Sequence, residues 1–84
     1  MRYAYMGFFT LTDALHAGET LEHRGIRARV VRMPSAPGVS CAYGLKLPAR
    51  RAEDARRNLE AAGGLRIGKT IYRREDGAVE HDLL

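Results

Sequence analysis

The spacing of apolar residues along the chain switches between the two-residue period of a strand and the longer period of a helix. Apolar or alternating stretches at 3–9, 26–33, 39–47 and 65–74 predict four strands, and amphipathic stretches at 10–25 and 48–64 predict two helices. With right-handed crossovers, the order β-α-β-β-α-β gives an α+β, ferredoxin-like sandwich. Its four-stranded antiparallel sheet carries both helices on one face. The first strand is apolar on both sides, which predicts a central position.

The predicted domain covers residues 1–74, and residues 75–84 form a polar tail. That tail is either a short hairpin turning at Asp76 and Gly77 or frayed chain. Two glycines fall inside predicted elements. Gly18 lies on the apolar stripe of the first helix and predicts close packing against the sheet, whereas Gly68 predicts a bulge in the last strand.

Composition narrows the classes of function. The formal net charge is +4, but the basic residues are interspersed with acidic ones, which does not favour nucleic-acid binding. No apolar run reaches the roughly 20 residues that span a bilayer, so no membrane association is expected. A single cysteine cannot form an internal disulfide, and we expect a cytoplasmic protein. The three histidines have no metal-ligand spacing, so no metal site is expected. No cofactor is expected either.

Cys41 follows the Pro- and Gly-containing segment 34–38 and begins the third predicted strand. In the predicted topology it lies near the end of the first strand and the beginning of the first helix. A thiolate at that position can be stabilised by the helix N-terminus, by the hydroxyls of Thr10 and Thr12, and by Arg32. Helix capping is the favoured duty of the two threonines. From alternation alone, however, Cys41 shares the apolar side with Tyr43 and Leu45, which is typical of an inert core residue.

Residues 8–47 resemble the small bacterial domains of the selenium/sulfur (Se/S) carrier protein-like family. The resemblance spans about residues 3–73. The matching positions are Phe9, Thr10, Ala14, Leu15, Glu19, Leu21, Gly25, Ile26, Pro34, Ser40 and Cys41. Two positions depart from the pattern: Ser35 replaces a basic residue, and Ala42 replaces the glycine after the cysteine.

The resemblance implies that Cys41 accepts sulfur or selenium from a donor protein and passes it to an acceptor, with Pro34 and Ser40 in the presenting loop. This would be a carrier or binding protein rather than an enzyme that turns over a substrate. The alternative is a regulatory module that binds a ligand or protein, or forms a homodimer, with Cys41 as packing. The half-apolar outer sheet face, with Tyr5 or Met6, Val31 and Met33, would supply its binding surface.

Overall fold

A computed structural model of the chain describes residues 1–75, which form one sheet and one layer of helices. The elements in chain order are β1 (Arg2–Phe8), α1 (Leu11–Glu22), β2 (Arg29–Arg32), β3 (Tyr43–Pro48), a 3-10 turn (Ala49–Arg51), α2 (Ala52–Ala62) and β4 (Ile67–Arg74). This order confirms the predicted ferredoxin-like arrangement. The predicted hairpin at Asp76 and Gly77 lies outside the described residues.

β1 lies in the middle of the sheet, as its apolar character on both sides predicts. The strand order is β2-β3-β1-β4, and β1 pairs antiparallel with both neighbours. Ala4, Met6 and Phe8 point to the face that the helices cover, which we call the inner face, and they belong to the main core. The alternate residues Tyr5 and Gly7 therefore point to the opposite, outer face.

α1 packs on the inner face through small residues. Thr10 caps the helix, its hydroxyl oxygen accepting a hydrogen bond from the Asp13 backbone N–H at 3.0 Å. Ala14, Ala17 and Leu21 are fully buried. A Cβ atom at Gly18 would lie 3.3 Å from Leu45 Cδ2, so the helix approaches β3 as closely as the sequence predicts.

α2 completes the inner layer. It follows the 3-10 turn directly and buries Ala52, Ala55 and Leu59 in the same core as α1. Arg56 Nη2 donates a hydrogen bond of 2.8 Å to the Thr70 hydroxyl, which links the helix to β4. Among residues 1–75, neither helix has the length and apolar character that crossing a bilayer requires.

A bulge interrupts the pairing of β1 with β4, as Gly68 predicts. Met6 pairs with Thr70 and Phe8 pairs with Ile67, so two residues of β4 lie opposite the single residue Gly7. Those two residues are Gly68 and Lys69. The extra residue sets the two glycines beside each other on the outer face, without side chains between them.

The predicted boundaries of the second and third strands are wrong. β2 covers Arg29–Arg32 rather than 26–33, and β3 begins at Tyr43 rather than at residue 39. The hydrogen bond from the Met33 N–H to the Ala42 carbonyl, 2.9 Å long, joins the two strands just beyond the ladder. Residues 34–41 leave the sheet plane there and cannot extend either strand.

A buried polar cluster lies on the outer face, away from that loop. Lys46 Nζ lies 2.8 Å from Glu75 Oε1, and the Tyr5 hydroxyl donates a hydrogen bond to Glu75 Oε2. The side chains of Lys46 and Glu75 are only 7% and 6% exposed. Backbone hydrogen bonds between Glu75 and Met1 hold this carboxylate in place. Glu75 is therefore held against the first residue of the chain and beside the end of β4.

Replacing Glu75 by alanine should lower the free energy of unfolding by at least about 2 kcal/mol, because the change removes the acceptor of two buried hydrogen bonds. Glu60→Ala, at an exposed position of α2, is the matched control and should change stability by no more than about 0.5 kcal/mol. Urea denaturation followed by circular dichroism measures both. Equal, small effects would show that the cluster contributes little to stability.

Candidate functional site

Residues 33–42 form a loop that crosses the outer face of the sheet, and we call it the crossing loop. It starts beside β3, where the Met33 thioether lies against Gly44. The Val39 N–H donates to the Ala36 carbonyl at 3.2 Å, closing a turn with Pro37 and Gly38 at its centre. Gly38 has φ 78, as the third residue of a type II turn requires.

The tip of the crossing loop reaches β4. A Cβ atom at Gly38 would lie 3.0 Å from Lys69 Nζ, so the ammonium group lies beside the turn. Between its start at Met33 and its tip at Gly38, the loop therefore passes over β3 and β1. The loop covers the place where Gly7 and Gly68 lie side by side at the bulge and no side chain projects from the outer face.

The Cys41 thiol fills that point. A Cβ atom at Gly68 would lie 2.5 Å from Cys41 Sγ, and a Cβ atom at Gly7 would lie 3.0 Å from both Sγ and Cβ of Cys41. Any side chain at either glycine would thus occupy the space of the sulfur. We call this space the glycine niche. It depends on two residues without side chains on adjacent strands.

Cys41 is buried, but it is not part of the main core. It is 8% exposed and does not belong to the cluster of Met6, Phe8 and Leu45 on the inner face. The prediction that Cys41 begins the third strand on the same side as Tyr43 and Leu45 is wrong. Cys41 precedes β3 by two residues and lies in the loop above the outer face. Its side chain points down onto that face, against Gly7.

The other predicted site residues occupy varied places. Thr10 caps α1, and Thr12 is exposed in the first turn of that helix. Arg32 is exposed, with its guanidinium 5.9 Å from the centre of the Tyr43 ring. Pro34 is half-buried and Ser40 exposed in the crossing loop. A thiolate-stabilising role for Thr10, Thr12 and Arg32 stays a prediction.

Sequence reasoning missed three residues that shape the site: Gly7, Gly44 and Lys69. Gly7 and Gly44 sit within β1 and β3, where glycine weakens a strand unless another group approaches closely. That signal was available in the sequence. The contact between Lys69 and the loop tip was not, because it depends on the path of the loop. Ala42, in place of the typical glycine, has no positive φ, so alanine fits its backbone without strain.

The fold and the site define a class: a ferredoxin-like domain with its one thiol held beneath a loop on the outer face of the sheet. Residues 3–71 match the family described as "Putative Se/S carrier protein-like", and the chain belongs to that family. No curated protein and no solved structure shows significant similarity to the chain.

The niche limits what the thiol can do in this conformation. A thiol can attack a sulfur donor only if the donor can approach it, and the crossing loop covers Sγ. The loop lies outside the strand ladders, however, and its turn is exposed at Pro37 and Gly38. An exposed segment without ladder hydrogen bonds can open at lower free energy than the whole domain.

A double-mutant cycle tests the glycine niche. Gly68→Ala should destabilise the protein by about 2 kcal/mol, because the new methyl group and Cys41 Sγ compete for one space. In a Cys41→Ala background the same change should cost at least about 1 kcal/mol less. Chemical denaturation of the four proteins measures the coupling. Additive effects would contradict the predicted contact between Gly68 and the sulfur.

Proposed function

We propose that this protein carries sulfur or selenium on Cys41 between a donor protein and an acceptor protein. The observation that carries this proposal is the position of the chain's one thiol in a niche on the outer face, apart from the main core and beneath a short loop. Membership of the Se/S carrier protein-like family supports the same function. A purely structural cysteine would more commonly lie in the core between sheet and helices.

The transfer needs no oxidant or cofactor when the donor is a persulfide. The Cys41 thiolate attacks the outer sulfur of the donor persulfide, and the donor's S–S bond breaks. The donor cysteine leaves as a thiolate, and the outer sulfur stays on Cys41 as a new persulfide. A nucleophile on the acceptor then attacks that outer sulfur, and Cys41 leaves as a thiolate. A selenium atom in the transferred position follows the same course.

The crossing loop would give this chemistry two states. Closed, the niche accommodates a single sulfur atom between Gly7 and Gly68 and keeps the thiol away from oxidants. Open, the loop would expose Cys41 to a donor or acceptor. The outer sulfur of a persulfide does not fit beside the two glycines, so loading would favour the open state. A partner protein could then recognise the loaded carrier by its loop.

The regulatory-module alternative requires an exposed apolar surface on the outer face. Tyr5 and Val31 point to that face but are each 1% exposed, and Met33 is half-buried against Gly44. Met6 points to the inner face instead. The residues predicted to form the binding surface therefore offer little exposed apolar area on the outer face, which favours the carrier.

Incubation with a cysteine desulfurase and cysteine tests the carrier function directly. Intact-protein mass spectrometry should show that the wild-type protein gains the mass of one sulfur atom, which a reducing agent then removes. Cys41→Ser should gain none. A parallel reaction with a selenocysteine lyase and selenocysteine compares selenium with sulfur. Equal labelling of the wild type and Cys41→Ser would refute the proposal.

A pair of glycine variants tests whether the thiol becomes accessible by local opening of the loop. Gly38 and Gly25 both have φ 78, so alanine strains the backbone by a similar amount, about 1 kcal/mol, at either position. Gly38 lies in the crossing loop, and Gly25 lies after α1 with no atom near its Cβ position. Under conditions that favour the native state, Gly38→Ala should react about fivefold faster with a thiol reagent, whereas Gly25→Ala should match the wild type.

If the two variants accelerated the reaction equally, the thiol would be reached through global unfolding. That result would favour the packing role of Cys41 over the carrier function. Hydrogen exchange of the amides in residues 33–42 would distinguish the two routes independently, because local opening exposes these amides without exposing those of β1.

A further inference from the structure

A cationic cavity lies at the end of the sheet opposite Cys41. It has a volume of about 360 Å³ and lies between the chain leading into β2 and the 3-10 turn that follows β3. Its lining includes five basic side chains and, among the described residues, no acidic one. The five are Arg27, Arg29, Lys46, Arg50 and Arg51. Leu47 and Pro48 form an apolar wall, and the Tyr3 ring lines the cavity as well.

The arginines that matter most come from two separate segments. Lys46 already pairs with Glu75 at 2.8 Å, so its charge is compensated. Arg27 and Arg50 are exposed at the cavity, one before β2 and the other in the 3-10 turn. The fold therefore brings together like charges that are distant in the sequence. Such an arrangement is unfavourable by itself and becomes favourable when an anion binds between the charges.

Arg51 lines the cavity from the 3-10 turn, and its side chain is 41% exposed. Its Nε is shielded from solvent and donates no hydrogen bond to any described residue. The Asp54 Oδ2 atom is 4.0 Å away, and the other carboxylate oxygen accepts from Arg57 at 2.6 Å. Asp54 is therefore shared between two arginines and compensates the Arg51 charge only in part.

We propose that this cavity binds a small phosphorylated organic molecule of about mononucleotide size. Planar guanidinium groups match the geometry of phosphate oxygens and bind them in pairs. The apolar wall and the Tyr3 ring would contact the organic part of the ligand, and the volume lies at the lower end of the range for small-molecule sites. The proposal does not depend on Cys41, because it concerns the other end of the sheet.

Isothermal titration calorimetry of the full chain at low salt tests this, with adenosine monophosphate, inorganic phosphate and adenosine as probes. Adenosine monophosphate should bind more tightly than inorganic phosphate, and adenosine should bind more weakly than either. The double variant Arg27→Gln and Arg50→Gln should lose affinity for the monophosphate by at least about tenfold. Arg32→Gln with Arg66→Gln is the matched control. It removes the same charge at the other end of the sheet and should bind like the wild type.

Three results would overturn the proposal. One is an equal loss of affinity in both double variants, which would indicate non-specific attraction to a basic protein. Another is equal binding of adenosine and its monophosphate, because the phosphate would then play no part. The third is tight binding of a single-stranded RNA that the monophosphate does not displace, which would make the surface a nucleic-acid interface. Folding of each variant is checked by its thermal unfolding midpoint.

Discussion

The structure depends on a central strand that is buried on both sides. Ala4 through Phe8 of β1 are all buried, the inner residues by the helices and the outer ones by groups that lie across the sheet. A strand in this position takes part in both ladders, so an irregularity in it or opposite it is transmitted to its neighbours. The bulge opposite Gly7 is such an irregularity. It decides where the outer face has room for a sulfur atom, and thereby where a loop can approach the sheet closely.

Hydrophobic periodicity alone predicted much of this fold. It placed β1 at the centre and located both helices, and it identified Gly18 as a close contact and Gly68 as a bulge, because these features depend on residues near one another in sequence. It failed at residues 39–42. Val39, Cys41 and Tyr43 alternate as a strand would, yet the chain leaves the sheet before Tyr43. The cause is a long-range fit between the cysteine and two glycines of other strands, which no local pattern encodes.

The candidate site was predictable to the same limited extent. Cys41 was identified from its rarity and its neighbouring loop, and of the two threonines predicted to cap the helix, Thr10 does so. The burial of the thiol, its position on the outer face and the contact of Lys69 with the loop tip required the tertiary structure. The same holds for the cationic cavity, since Arg27 and Arg50 lie on different segments and their charges look dispersed in the sequence. The distribution of charge along the sequence does not reveal a local excess of basic side chains that forms only when the fold brings distant segments together.

The hydrogen bonds between the backbones of Met1 and Glu75 bring the two ends of the described domain together. The chain enters and leaves the described domain at one place, beside the beginning of β1 and the end of β4. Cys41 and the crossing loop lie at the other end of these strands. A linker, a fused domain or a surface attachment at residue 1 would therefore tether the domain by its far end. The thiol end would remain unobstructed, which suits the proposed carrier function.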